Sequence, residues 1–416
     1  MSDKSAMQSD ASTERKVRIG IIGPSWWVDY WHLPGIQNHP HAEIVAVCGN
    51  TPRDEADVQS KYGPNARFYT DVDTMLDEAA LDGVVVCTPN DLHGPFTLAA
   101  LKHGVNVTCE KPIALDAAEA QEMLATARSG SLLAMANFPY RDNPCVQTVR
   151  RMIAEGYIGR LLHISGQYHG GFGLQRPPNW RRMRDRSGSG ILGDLGSHLI
   201  DLAYFVTEDE IASVCAHTMT LLRDAESGEI AGLARSEDPR VGNRNDDSCA
   251  FLAELSSGAQ GIFHTSWVAY QGAEAQFQQL DIYGTAGRIQ FVATHAGTFV
   301  RAKKVGESQW ENIPVANTVL PTPGVEEDED YFRPGRHTSS HTTYRWIEAI
   351  RRGDTTITPD LSDGLRAQEV IDAVILASKE RRWVTIQEIR QKEIRQKEIR
   401  PEEIKIEEIG LRAHGG

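Results

Sequence analysis

Cysteine is scarce: six residues in 416, at Cys48, Cys87, Cys109, Cys145, Cys215 and Cys249, with no C-x-x-C pair among them. That pattern argues against a disulfide framework and against a thiolate metal site, and leaves reduced, buried small hydrophobes as the reading; no metal is expected. Long apolar runs are also missing. The stretches around 20–23 and 83–87 fall far short of the ~18 residues that a bilayer helix needs, so no membrane span is expected. Positive charge is in deficit, with 43 Lys and Arg against 57 Asp and Glu, a net of −14. Such a field repels phosphate backbones and makes nucleic acid a poor partner. Residues 1–15 form a polar leader without the apolar centre of a secretory signal, which points to the cytoplasm by default.

The length is enough for two or three domains at roughly 100–200 residues each, every one able to bury a core. Short β-prone runs at 17–22, 44–48, 84–87, 105–109 and 132–136 alternate with helix-like stretches at 54–62, 71–79, 95–103 and 116–128. Strand then helix at this spacing predicts a doubly wound parallel sheet, a Rossmann-type dinucleotide-binding domain over 16–137. From 138 to 386 the texture changes. A helix near 145–155 is followed by strands at 162–168, 213–221, 248–255, 261–267, 276–283 and 298–302, then by helices at 344–351 and 362–379 and a closing strand at 383–386. Strands in such succession predict a mostly antiparallel, open-faced sheet with helices on one side, an α+β domain for substrate and for homo-oligomer contacts through the open face.

Residues 387–416 read as a tail in which EIRQK occurs at 388–392 and again at 393–397. A five-residue step advances about 500° around a helix, so its isoleucines spiral instead of forming one stripe. The tail is expected to be a surface appendage. The segment 225–245, rich in Gly, Ser and charge, reads as a loop insertion.

The loop after the first strand reads Gly23-Pro24-Ser25-Trp26-Trp27-Val28. A dinucleotide fold calls for G-x-G-x-x-G here, because glycines permit the tight turn and let backbone approach the pyrophosphate. Only the first glycine is present. Ser25 still offers a hydroxyl and the following helix its free N–H groups. After the second strand, Gly49-Asn50-Thr51-Pro52-Arg53 lacks the acid that usually binds the NAD ribose. Arg53 suits a 2′-phosphate and Asn50 suits a plain ribose, so NAD and NADP both stay open.

Three segments carry the chemistry. Cys87-Thr88-Pro89-Asn90-Asp91-Leu92-His93 and Cys109-Glu110-Lys111-Pro112 follow the fourth and fifth strands, at carboxyl ends where open α/β sheets place ligands. In the Gly-rich stretch 188–201, Asp194 and His198 are four apart, on one face of a helix, and a carboxylate beside an imidazole suits proton transfer.

Together these motifs, with Asn137, Tyr140, Arg141 and Tyr283-Gly284-Thr285-Ala286-Gly287, make residues 16–386 resemble the Gfo/Idh/MocA family of nicotinamide-dependent oxidoreductases. That family includes glucose-fructose oxidoreductase and inositol dehydrogenases. The resemblance implies that Lys111 is the catalytic lysine, that His198 is the main acid/base with Asp194 beside it at the substrate, and that the Lys111–Pro112 peptide is cis or tightly turned. It implies cofactor contacts from Gly23, Ser25, Trp26, Trp27, Gly49, Asn50, Arg53, Thr88, Pro89, Asn90, His93, Glu110 and Lys111, and a sugar pocket lined by Lys111, Tyr140, Arg141, Trp180, Asp194 and His198. The Gly49-Asn50 pair is similar to that of glucose-fructose oxidoreductase, which keeps its cofactor bound through turnover. The Trp-rich loop resembles that of members acting on the 3-hydroxyl of glucosides.

Oxidising a secondary alcohol needs a base for the O–H proton, a cation for developing alkoxide charge and a hydride acceptor. His198 as base, Lys111 as cation and the cofactor as acceptor would fill those places. A redox-silent nucleotide-binding regulator and an oxidation-assisted glycosidase stand as alternatives. His93 is as well suited to capping its helix as to touching a ligand, and Trp180 as well suited to core as to stacking on a sugar.

Overall fold

The computed structural model describes residues 15–175, 179–222, 244–270, 276–294, 297–315 and 341–399. The insertion expected at 225–245 lies almost wholly outside them. Six short strands build the first sheet: β1 (Val17–Ile22), β2 (Ala42–Cys48), β3 (Arg67–Tyr69), β4 (Gly83–Val86), β5 (Asn106–Glu110) and β6 (Ala134–Asn137). They run parallel in the order β3-β2-β1-β4-β5-β6. β4 is buried at every position and β5 at all but its first residue, as expected of strands covered on both faces. Three of the helices between them start on side-chain caps: Asp54, Asp71 and Asp116 each accept a backbone N–H from the first turn.

The second sheet comprises β7 (Leu161–Gly170), β8 (Ile211–Met219), β9 (Ser248–Leu255), β10 (Gln260–Ser266), β11 (Gln276–Gly284), β12 (Gly287–Thr294), β13 (Gly297–Lys304), β14 (Glu311–Asn312) and β15 (Val384–Thr385). Its order is β14-β13-β12-β11-β7-β10-β9-β8-β15, antiparallel except where β10 runs beside β7. Alternate residues along β7 are buried, namely Ile164, Gly166, Tyr168 and Gly170. That face is covered by the helices Pro144–Ala154, Ser197–Thr207 and Leu361–Glu380. On the opposite face Leu252 and Ile262 sit directly across from each other, each 40% exposed.

Five of the cysteines are buried and Cys215 is partly so; all six are unpaired. No described helix is long and apolar enough to cross a membrane. The start of the repeat segment is not a detached appendage. It continues a helix, Ile386–Ile399, whose Ile386 and Ile389 are buried in the main core and whose Arg390 pairs with Glu369 on the helix before it.

Candidate active site

The strand order reverses between β1 and β4, and the crevice outside their carboxyl ends is where a doubly wound sheet binds its ligand. Gly23 opens that crevice at φ +85°, and a Cβ there would lie 2.4 Å from the carbonyl oxygen of Cys87. No other residue fits so close a crossing of backbones. The remaining glycines of the fingerprint are replaced by a different device. Ser25 Oγ accepts the Val28 N–H, and Val28–His32 forms a wide π-type turn that folds Trp27 against Tyr30 and Trp31. Trp26 stands edge-on to Trp27 and is 61% exposed. Thr88, beside Gly23, has a buried hydroxyl without a partner among the described residues. Gly49, just after β2, donates its N–H to the Tyr69 carbonyl, and Asn50 and Arg53 are exposed beyond it. A glycine-only turn, a switch-point crevice and an orphaned hydroxyl fit a dinucleotide.

Lys111 extends β5 into a cis peptide bond with Pro112, as the resemblance implied. Its ammonium lies 2.8 Å from the Asp194 carbonyl oxygen and 3.1 Å from its carboxylate. Asp194 comes from the other half of the molecule, on a second wide turn, Leu192–Gly196, that leads into the helix Ser197–Thr207. The expectation of one regular helix carrying both Asp194 and His198 is therefore corrected: the extra residue per turn re-aims Asp194. The turn is held from outside by Asp246, whose carboxylate accepts the Gly190 and Leu192 N–H groups at 2.8 and 2.9 Å. Gly190 is required because a Cβ would lie 2.1 Å from the Asp246 carbonyl oxygen.

His198 is buried among Phe138, Tyr140 and Tyr168, with the Tyr140 ring 4.4 Å away between centroids. Burial, and then the charge of Lys111, hold its pKa well below the usual 6.5, so the ring is neutral and ready to accept a proton. Burial alone would raise Asp194, but Lys111 and Arg181 outweigh it and keep the group a carboxylate. The Tyr140 hydroxyl meets that of Tyr168 at 2.7 Å, and Tyr168 donates on to Gln276. Trp180 is half-buried, with the Arg181 guanidinium over its ring and 3.8 Å from Asp194.

Arg141, expected to line a sugar pocket, has its charge committed inside the fold. It is 4% exposed, and its guanidinium is bonded to Asp201 and Asp363. A cation this thoroughly paired braces the helix that carries His198. His93 is likewise turned inward: its ring nitrogens lie 2.7 and 2.9 Å from the carbonyl oxygens of Pro112 and Thr88, tying two strand-end loops together. Asn90 donates to the Ser187 carbonyl, again as a brace, and Pro89 precedes it in the same turn. The Glu110 carboxylate is taken by His32, Asn137 and the Lys111 N–H. Sequence reasoning passed over His32 and Asp246, since a lone histidine in an aromatic stretch and an acid far from its turn carry no local signal.

A parallel sheet with a dinucleotide crevice, facing a lysine, a carboxylate and a neutral imidazole, defines an NAD-binding oxidoreductase. Residues 17–138 match the family model described as an oxidoreductase family with an NAD-binding Rossmann fold, and residues 146–290 match the GFO/IDH/MocA C-terminal domain. The chain belongs to the Gfo/Idh/MocA family of oxidoreductases. It is 26% identical over 385 residues to levoglucosan dehydrogenase of Pseudarthrobacter phenanthrenivorans, covering 86% of this chain and 92% of that one. It is 33% identical over 212 residues to D-glucoside 3-dehydrogenase of Escherichia coli, covering 50% and 59%. A crystal structure of an oxidoreductase domain protein from Kribbella flavida matches with a TM-score of 0.74 at 28% identity, over 89% of this chain and 99% of that one. Levoglucosan dehydrogenase in complex with NADH matches in fold with a TM-score of 0.76 at 22% identity, over 89% and 99%.

Proposed function

We propose that this protein oxidises a secondary hydroxyl of a pyranose or glycoside to a ketone, with the 3-hydroxyl of a glucoside as the first candidate. The observation that carries this reading is the meeting of Lys111 and Asp194, 3.1 Å apart, beside a neutral, buried His198. Bound oxidised nicotinamide supplies the hydride acceptor. His198 takes the hydroxyl proton, Lys111 steadies the negative charge that develops on the oxygen, and Asp194 fixes the lysine. Tyr140 walls the imidazole, and Trp180 offers a half-buried ring at the sugar side. The relatives named for levoglucosan and for the 3-position of glucosides support this substrate class.

The test is to incubate purified protein with NAD or NADP and a panel of glucosides and inositols, following 340 nm absorbance and keto products. Product analysis separates the reading from its rivals: a keto sugar with its aglycone attached supports it, whereas a released aglycone or no turnover does not. Because two fingerprint glycines are replaced, the cofactor is expected to be retained unusually tightly or positioned unusually, with a keto sugar as the second substrate that resets it. Denaturing fresh protein and finding no nucleotide would count against retention. The exposed apolar residues of the second sheet support a homo-oligomer built through that face.

A further inference from the structure

The cofactor loop and Lys111 leave different strands of the first sheet, yet one buried chain of hydrogen bonds joins them. His32 ends the wide turn that follows Trp26 and Trp27, and its side chain is fully buried. Its Nε2 lies 3.0 Å from Glu110 Oε1 and its Nδ1 lies 2.9 Å from the Thr343 hydroxyl. Burial would raise Glu110, but the His32 contact, the Lys111 charge and the Asn137 amide pull it down to about 2. A carboxylate only accepts, so the tautomer that satisfies every partner carries its proton on Nε2 and accepts the Thr343 hydroxyl on Nδ1.

The other end of the chain is the lysine. Glu110 Oε2 faces the Lys111 backbone N–H at 3.3 Å, while Asn137 Nδ2 donates to Oε1 at 2.5 Å. Thr343 belongs to the helix His341–Arg352, and its neighbour Thr342 donates to Asp142 at 2.7 Å, in the turn Pro139–Asp142 that carries Tyr140. Two adjacent threonines thus brace both walls of the crevice. A group packed this tightly transmits displacement, because moving the loop shifts the Glu110 carboxylate and with it the peptide that aims Lys111.

We propose that His32 is a positioning residue that couples occupancy of the dinucleotide loop to the pose of Lys111 through Glu110. The inference rests on the reading of Lys111 as the catalytic lysine, but its coupling claim is testable without turnover. Linkage is reciprocal: if the loop and the lysine communicate, a change at either end alters dinucleotide affinity, and the two changes are not independent.

The experiment is a double-mutant cycle on the full chain, with NAD affinity read from quenching of tryptophan fluorescence. His32→Leu removes the donor and keeps bulk, and Lys111→Ala removes the far end. The expected result is a Kd about 10-fold weaker for His32→Leu and a double-variant Kd that departs about 5-fold or more from the product of the single effects. His32→Gln, which restores an N–H toward Glu110, should recover most of the loss. A merely structural histidine would lower the melting temperature while leaving NAD affinity unchanged, or would give a double-variant Kd equal to that product; either result overturns the proposal. Should His32→Leu fail to fold, Thr343→Val takes its place in the cycle with the same criteria. Turnover of Lys111→Ala at the wild-type rate would sink the catalytic reading instead, leaving the cycle to decide the coupling.

Discussion

The Lys111 ammonium is held by two oxygens of one residue, the carbonyl and the carboxylate of Asp194, at 2.8 and 3.1 Å. Two of its three N–H bonds are thereby directed, and the third has no partner among the described residues, which suits a ligand in the crevice. Lys111→Ala should therefore lower kcat by about 10²–10⁴-fold while the chain still folds. Lys111→Arg should not restore it, because a planar fork cannot reproduce a point charge on these two acceptors. Asp194→Asn keeps an oxygen but not the charge, and a loss of about 10-fold is expected. Steady-state rates on an oxidised glucoside check all three.

His198 gives the reaction its pH signature. Its pKa is depressed by burial and by Lys111, so the base stays neutral below the usual 6.5 and the acid limb of kcat/KM should lie below that value. The same shift bears on stability with a definite sign. Between the folded and unfolded pKa values the unfolded chain binds more protons, so this contribution is complete above about pH 6.5 and is lost as pH falls toward the folded value. His198→Ala should remove the acid limb and flatten the melting temperature across that window, in paired pH–rate and calorimetric profiles.

Both halves of the fold were legible where burial leaves a pattern. The continuous apolar run of β4 reads as a buried parallel strand, β5 is legible from its β-prone Val107 and Thr108, and the apolar stretch within β9 marks a strand whose expected bounds match those observed. β3 has only three residues and shows no period, and Arg288 and Gln290 break the apolar run of β12, so neither was read. In the site, the motifs at Lys111, Asp194 and His198 were visible because each is contiguous. Their supports were not. His32 meets Thr343 across 311 positions and Asp246 meets Gly190 across 56, pairings that exist only after folding. The wide turns at Val28–His32 and Leu192–Gly196 also escape a 3.6-residue reading, because one added residue shifts the face without changing the composition.

Arg141 separates a structural from a ligand role. It is a buried cation shared by Asp201 and Asp363, of which Asp363 also pairs with the less buried Arg366, and burial raises Asp201 to about 6 even with Arg141 present. Arg141→Met strips two buried carboxylates of their main counter-charge and should cost about 3–5 kcal/mol of stability in denaturant unfolding. A sugar-binding arginine would behave differently, raising KM with little change in stability. Any KM effect here should follow the loss of fold and disappear at low temperature or in stabilising osmolyte.

The open face of the second sheet gives a prediction about assembly. Leu252 and Ile262 are direct cross-strand partners, each 40% exposed, and Met219 and Phe299, at 41% and 43%, lie on the same face of β8 and β13. Hydrophobic residues grouped on a broad, flat, hydrogen-bonded surface are costly to leave in water, at about 25 cal/mol per Å² of apolar area. A second copy related by a twofold axis would cover them with the same residues, each chain lending the other an identical patch. Light scattering of the wild-type protein should give a multiple of the chain mass. The pair Leu252→Glu and Ile262→Glu should reduce it to the monomer with circular dichroism unchanged, because both side chains project away from the core. A wild-type monomer at micromolar concentration would remove the self-association reading and leave the patch to another partner.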